Sequence, residues 1–241
     1  MALPKIDAPV FEIQLPLSKK QIRFRPFLVK EQKNLLMAME ADDSETIERN
    51  IRQVLTNCTI TENVDIDRLP VVDVEFYFLN LRAKSVGEVV ETDYVCNNVV
   101  DESECGGKMK AKFNLLDVRV DIDPNNKDII YLTDKIAIKL RYPEYSLVKK
   151  LKDKNSSVEI AFEIITDSIE YIFDGEQYYY SNETPKEELL EFLESLNQSQ
   201  FSKLEDFFSN LPVINKKVEM KCNKCGFIHN VTMQGLESFF G

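Results

Sequence analysis

The sequence has one histidine and no tryptophan, so the side chain most often used for acid–base catalysis at neutral pH is nearly absent. Nucleophile-elbow, P-loop, GxGxxG and HExxH patterns, which position catalytic or phosphate-binding groups, do not occur. No run of eighteen apolar residues and no secretory signal are present, so we expect neither a membrane span nor export from a reducing cytoplasm. These absences favour a soluble protein that is not an enzyme.

The charge balance is acidic, with 30 lysine and arginine residues against 41 aspartate and glutamate residues and a net charge of −11. A surface of this sign repels phosphate backbones unless its basic residues are locally concentrated. Hydrophobic residues make up 44% of the 241 positions, which is enough for a substantial core. The composition therefore indicates a globular protein and argues against nucleic acid as its partner.

The cysteines provide the strongest chemical signal. Cys222 and Cys225 are separated by two residues and followed by Gly226, which allows the positive φ that a tight metal-binding turn needs. A closed zinc site has four ligands, and the pair that completes it is Cys96 and Cys105. We therefore predict that these four thiols bind one zinc ion per chain, in a structural role because protein atoms fill every coordination position.

Strand-like segments flank both cysteine pairs, so each pair lies between the arms of a predicted hairpin. These segments are 86–95 and 108–116 for the first pair, and 217–221 and 227–233 for the second. Two such hairpins facing each other across one ion form a zinc ribbon, here split between the middle of the chain and its end. The eight residues 97–104 exceed the usual spacing of about two to four and mark an insertion in the first turn.

Three other interpretations of the cysteines are open. A CxxC redox pair is disfavoured because no helical pattern starts at Cys222, and a disulfide framework is disfavoured by the odd cysteine count. Unpaired structural thiols are the third alternative. Cys58 lies at the end of the helical pattern 45–57 and is interpreted as a small core residue.

The predicted fold class is α+β, with helices, short antiparallel hairpins and the split four-cysteine zinc ribbon. Residues 1–85 are expected to form an N-terminal hairpin and helices. Residues 86–120 together with 214–234 form the ribbon, and 121–213 form a central α+β region. We expect these parts to make one compact unit, 1–241.

Two aromatic features have both a structural and a functional interpretation. Tyr178–Tyr180 follow the Asp174-Gly175 turn of a predicted hairpin, and a strand with half-buried rings is favoured over a stacking surface. His229 alternates with apolar residues after Cys225, and a structural strand histidine is favoured over a spare zinc ligand.

Arg23 and Arg25 alternate with Ile22 and Phe24, so both arginines are expected on one face of a strand. Two interpretations stay open: the arginines are solvated, or they pair with carboxylates of a binding partner. On the second interpretation they are the candidate partner-binding residues.

Residues 22–38, IRFRPFLVKEQKNLLMA, resemble the opening of the T4-type bacteriophage baseplate proteins, a family of hub subunits and hub-assembly factors. The order of parts is similar too: a strand, the FRPFLVKE phrase, a helix, and two cysteine pairs with VEMKCNKCG near the end. The resemblance implies a non-enzymatic structural or assembly protein of a contractile-tail baseplate hub. Its implied partners are other hub and tail proteins, met in the host cytoplasm during assembly or in the virion baseplate.

The competing function is a zinc-ribbon adaptor that binds nucleic acid or a polymerase. Such a ribbon should carry clustered basic residues with exposed aromatic rings at its tips. Here Asp101, Glu102 and Glu104 crowd the first tip, and only Lys221 and Lys224 flank the second. The tips therefore favour the baseplate role, while the oligomeric state stays open.

Overall fold

A computed structural model describes residues 7–40, 44–147 and 157–235. The helices are α1 (Val29–Glu40), α2 (Ser44–Cys58), α3 (Val71–Ser85), α4 (Ser157–Ser168), α5 (Lys186–Glu194) and α6 (Gln198–Ser209). The strands are β1 (Phe11–Gln14), β2 (Gln21–Phe24), β3 (Val89–Val95), β4 (Val99–Val100), β5 (Ser103–Glu104), β6 (Lys108–Asn114), β7 (Arg119–Asp121), β8 (Ile129–Tyr131), β9 (Ala137–Leu140), β10 (Ile169–Phe173), β11 (Tyr178–Tyr180), β12 (Val213–Lys221) and β13 (Ile228–Gln234).

The chain divides into two compact units. The first contains the described residues of Met1–Ile66, Val72–Asp121 and Val213–Gly241, and the second those of Asp67–Val71 and Ile122–Pro212. The N-terminal hairpin, its helices and both halves of the predicted ribbon therefore share the first unit. None of the helices in the described part of the chain is long and apolar enough to cross a membrane.

In the first unit, the antiparallel β1–β2 hairpin packs on helix α3. The rings of Phe24 and Tyr77 meet edge to face with their centroids 5.4 Å apart, and both side chains are fully buried. The carboxylate of buried Asp73 accepts hydrogen bonds from the backbone N–H groups of Leu17 and Ser18, each at 2.8 Å. Because charge-assisted bonds of this kind are strong, Asp73 holds the hairpin turn against the helix.

The ribbon strands form two antiparallel hairpins in the same unit. Strands β3 and β6 pair along their whole length. Strand β13 pairs with residues 215–221 of β12, and β7 extends this second sheet by pairing with the start of β12. Apolar side chains alternate inward along β6 at Met109, Ala111 and Phe113, and they form one core with Leu79 and Ala83 of α3. Period-two alternation over seven residues is the pattern of a half-buried strand, so the sequence specifies which face is buried.

The second unit contains one antiparallel sheet in the order β11-β10-β9-β8. One face of this sheet carries Ile138 and Ile172 and belongs to a core that includes Leu189, Leu193 and Phe207 of α5 and α6. Antiparallel sheets commonly bury one face in this way and leave the other in water. The predicted hairpin at Asp174-Gly175 is confirmed, and Gly175 has the positive φ, +101°, that its turn requires.

The mixed helical and antiparallel architecture confirms the predicted α+β class. The predicted strands beside both cysteine pairs are observed as β3, β6, β12 and β13. The prediction that a metal closes the ribbon depends on the geometry of the four cysteines.

Candidate metal centre

Each ribbon hairpin carries two cysteines at the end where its strands are joined. Cys96 directly follows β3 and Cys222 directly follows β12, whereas Cys105 and Cys225 lie in the turns that lead into β6 and β13. The insertion between Cys96 and Cys105 forms a small hairpin of its own, β4–β5, with positive φ at Asp101 and Glu102. The two joined ends meet, so pairs that are distant in sequence form one cluster.

The four sulfur atoms of Cys96, Cys105, Cys222 and Cys225 all lie within 4.8 Å of one another. The Sγ atoms of Cys96 and Cys225 are 3.6 Å apart, and those of Cys105 and Cys222 are 3.8 Å apart. A disulfide would require about 2.05 Å. A tetrahedral ion with metal–sulfur bonds of about 2.3 Å requires sulfur–sulfur distances of about 3.8 Å, so the arrangement is compatible with a metal site.

Backbone amides act on all four sulfurs. The N–H of Lys224 donates a hydrogen bond to the Cys222 sulfur at 3.4 Å. The amide of Cys225 also favours the Cys222 thiolate, and the amides of Asn98, Gly107 and Phe227 favour the thiolates of Cys96, Cys105 and Cys225 respectively. Donors aimed at sulfur stabilise the thiolate, which is the form that binds a metal.

The two cysteine pairs differ in electrostatics. Burial raises the pKa of the Cys96 and Cys105 thiols, whereas backbone N–H donors hold the pKa of the Cys222 and Cys225 thiols below their ordinary value. Four thiolates this close would repel one another, and a bound divalent cation removes that repulsion. The donor set suits a thiophilic ion.

Glycine is required at positions 106 and 107 for different physical causes. A Cβ atom at position 107 would lie 2.7 Å from the Cys222 sulfur and 3.0 Å from the Cβ atom of Lys224, so no side chain fits there. Gly106 has open space around it but a φ of +62°, which side chains rarely adopt. One glycine makes room for the opposite cysteine, and the other makes the turn.

Two side chains reach across the cluster from one half of the ribbon to a sulfur in the other. The Nε2 atom of His229 lies 3.1 Å from the Cys96 sulfur, and Asn98 donates from Nδ2 to the Cys225 sulfur at 3.7 Å. Outer groups of this kind orient metal ligands. The sequence around His229 and Asn98 does not predict these two contacts, because a contact across the ribbon leaves no local pattern.

The structure gives the two candidate partner-binding arginines different surroundings. Arg23 lies in β2 with its side chain exposed, whereas Arg25 follows the end of that strand and is partly buried. The Arg25 guanidinium forms a bidentate pair with Glu31, at 2.8 and 3.0 Å, and lies 3.5 Å from the Cys58 sulfur. Arg25 thus has a carboxylate partner within its own chain.

Glu31 is a buried residue that sequence analysis missed. It accepts from both Arg25 and the backbone N–H of Leu28 at the start of α1, and these partners hold the pKa of its carboxyl below the ordinary value. A glutamate three residues after the residue that precedes a helix, here Leu28, has the spacing of a capping box, which is the signal that could have identified it. Burial raises the pKa of the neighbouring Cys58 thiol to about 12, which keeps it protonated and leaves it a core residue.

Comparison with known proteins relates the chain to phage tails. The family model described as T4 bacteriophage base plate protein matches residues 8–241. The baseplate hub assembly protein gp26 of Enterobacteria phage T4 is 26% identical over 231 residues, which cover 95% of this chain and 97% of that protein. No solved structure matches the chain.

Proposed function

Because this chain belongs to the T4 bacteriophage base plate protein family, we propose that it is a non-enzymatic protein of baseplate hub assembly. The observation that carries this proposal is the near full-length similarity to a baseplate hub assembly protein. The chain would act by contacts with other hub and tail proteins in the host cytoplasm. It either stays in the virion baseplate or leaves after assembly.

The proposal includes one structural zinc ion bound by Cys96, Cys105, Cys222 and Cys225. Two sulfur–sulfur distances near the tetrahedral value, the closeness of all four sulfurs and the Lys224 N–H bond to Cys222 support it. A set of four thiolates leaves no coordination position for a substrate, so the ion would contribute stability rather than chemistry. Its role would be to join the β3–β6 hairpin to the β12–β13 hairpin and fix both joined ends.

Partner binding by the two arginines remains a proposal, and it is stronger for one of them. Arg23 is exposed on β2 and offers its guanidinium to a carboxylate on another protein. Arg25 would have to exchange its bidentate pair with Glu31 for a new partner, which supports a structural role for that residue.

The alternative of a nucleic-acid adaptor is supported less well. The β4–β5 tip carries exposed Asp101, Glu102 and Glu104, which would face a phosphate backbone with negative charge. Filter binding of the purified chain to single- and double-stranded DNA and RNA, over a salt series, separates the two functions. Tight binding that weakens steeply with salt would favour the adaptor.

The assembly role is tested with a phage in which this gene carries an early stop codon. We expect infected cells to accumulate tail parts without complete baseplates, and the wild-type chain supplied from a plasmid to restore complete tails. Electron microscopy and protein composition of the particles give the result. The control is a plasmid with the same stop codon. Complete tails assembled without the chain would contradict the proposal.

A further inference from the structure

The outer face of the β11-β10-β9-β8 sheet carries a group of aromatic rings. Residues that pair directly across antiparallel strands point to the same face. The register places Tyr131, Ala137, Phe173 and Tyr178 in one row, and Ile129, Lys139, Tyr171 and Tyr180 in the next. Buried Ile138 and Ile172 lie between these rows and point to the opposite, helical side. We name Tyr131, Tyr171, Phe173, Tyr178 and Tyr180 the aromatic face.

The rings of Tyr171, Phe173, Tyr178 and Tyr180 lie close together, and Tyr131, Tyr178 and Tyr180 are open to solvent. Ring centroids are 4.7 Å apart for Phe173 and Tyr178, 5.1 Å for Tyr171 and Tyr178, and 5.9 Å for Tyr171 and Tyr180. Tyr131 is 65% exposed, Tyr178 53% and Tyr180 43%. Tyrosine is enriched at protein interfaces and among the residues that dominate their binding energy.

Several carboxylates lie around the aromatic face. Glu170 acts electrostatically on Tyr171, and exposed Glu176 and Glu183 lie on either side of β11. Lys139 lies on the face itself and is paired with Asp128 at 2.5 Å. Lys135 lies beside Gly175, and Lys203 donates from Nζ to the backbone oxygen of Tyr131 at 2.8 Å.

We infer that the aromatic face binds an arginine- or lysine-bearing segment of another protein. A cation placed over a tyrosine ring is attracted by the negative face of the ring, and arginine can stack on it as well. The surrounding carboxylates strengthen this attraction and add partners for further basic side chains. That the other protein is a tail component rests on the proposed function.

The carboxylates around the aromatic face disfavour two other binding partners, nucleic acid and a second copy of this chain. Stacked bases of nucleic acid would bring phosphates toward the carboxylates, and such binding normally needs a positively charged groove. A second copy of this chain would bring another net charge of −11. A basic protein segment fits this surface better. The methylene groups of its lysine or arginine side chains can pack on the rings, while the charged ends approach the carboxylates.

Photo-cross-linking of the full chain in cells that assemble tails tests the inference. We place p-benzoylphenylalanine at position 131, on the aromatic face, and in a separate chain at Phe227, an exposed aromatic in the first unit. Irradiation is expected to join position 131 to one tail protein, at a peptide that contains arginine or lysine. The Phe227 position is expected not to give this product.

Two matched variants of the position-131 chain show whether the rings cause the contact. The pair Tyr178→Phe and Tyr180→Phe keeps both rings and is expected to keep most of the cross-linked product. The pair Tyr178→Ser and Tyr180→Ser removes them and is expected to lower the product about tenfold. Thermal unfolding of each purified variant checks that the sheet remains folded.

The outcomes separate this inference from the proposed function. A basic segment of a protein outside the tail would support the aromatic face as a binding site and contradict the hub role. Cross-linking to a second copy of the chain, to an acidic peptide or to nothing would overturn the inference. Equal product from the serine and phenylalanine pairs would overturn it too.

Discussion

Replacement of Cys222 by serine is expected to abolish zinc binding and to unfold the ribbon, with a far larger loss of stability than the substitution of any surface residue. The Cys222 sulfur lies 3.8 Å from that of Cys105 and accepts from the Lys224 amide. Structural zinc contributes on the order of 10 kcal/mol to folding in isolated finger peptides. Because the first unit has a core of its own, we expect a smaller loss here than in an isolated finger. The expected decrease in the free energy of unfolding is still more than about 3 kcal/mol.

Urea unfolding followed by circular dichroism, together with metal analysis, measures this effect. Without urea the variant should keep most of its helical signal although its ribbon is unfolded, and its first unit should unfold at a lower urea concentration than that of the wild-type chain. Cys58→Ala is the matched control, because Cys58 is also buried but lies beside Arg25 and Glu31, where its thiol is protonated. The control should keep its zinc. A Cys222→Ser chain with unchanged zinc content and an unchanged unfolding curve would rule out a structural metal at this site.

Glu31→Gln is expected to lower the free energy of unfolding by about 1 to 3 kcal/mol, because Glu31 is buried whereas its partner Arg25 is only partly buried and keeps other acceptors. The substitution leaves the Arg25 guanidinium without its carboxylate, although a glutamine oxygen can still accept one bond. Arg23→Ala is the control: its side chain is exposed, so the change should be within about 0.5 kcal/mol.

The effect of Glu31→Gln should depend on pH with a defined sign. The folded-state pKa of Glu31 lies below its ordinary value of 4.5 because Arg25 and the Leu28 amide favour the carboxylate. Its contribution is therefore fully present above that value and is lost as the pH falls through the lowered folded-state pKa. Urea midpoints of the wild-type and variant chains should differ most at neutral pH and converge in acid. A constant difference at every pH would show that the charge of Glu31 does not matter.

Sequence patterns predicted the ribbon because its signals are local. A CxxC pair followed by glycine, and alternating apolar residues on either side, are each contained in a few neighbouring positions. The turn of the β4–β5 hairpin could not be predicted in the same way. Asp101 and Glu102 both have positive φ there, a conformation that non-glycine residues rarely adopt.

Periodic sequence patterns do not predict which helices and strands contact one another. The alternating pattern predicted that Arg23 and Arg25 lie on one face of a strand. Strand β2 ends at Phe24, however, and Arg25 pairs with Glu31 in the helix that follows. The Asn98 and His229 contacts to sulfur join residues from opposite halves of the ribbon. The hairpin around Tyr178–Tyr180 was predicted, whereas the four-stranded sheet that collects the other rings depends on pairing between distant segments.

Native mass spectrometry of the full chain, purified with zinc present, tests most directly whether the four cysteines form one closed zinc site. We expect a single species heavier than the polypeptide by one zinc ion. Exposure to a strong chelator should return the mass of the polypeptide alone and unfold the ribbon. Less than half an equivalent of zinc per chain, in protein whose ribbon is folded, would contradict the site.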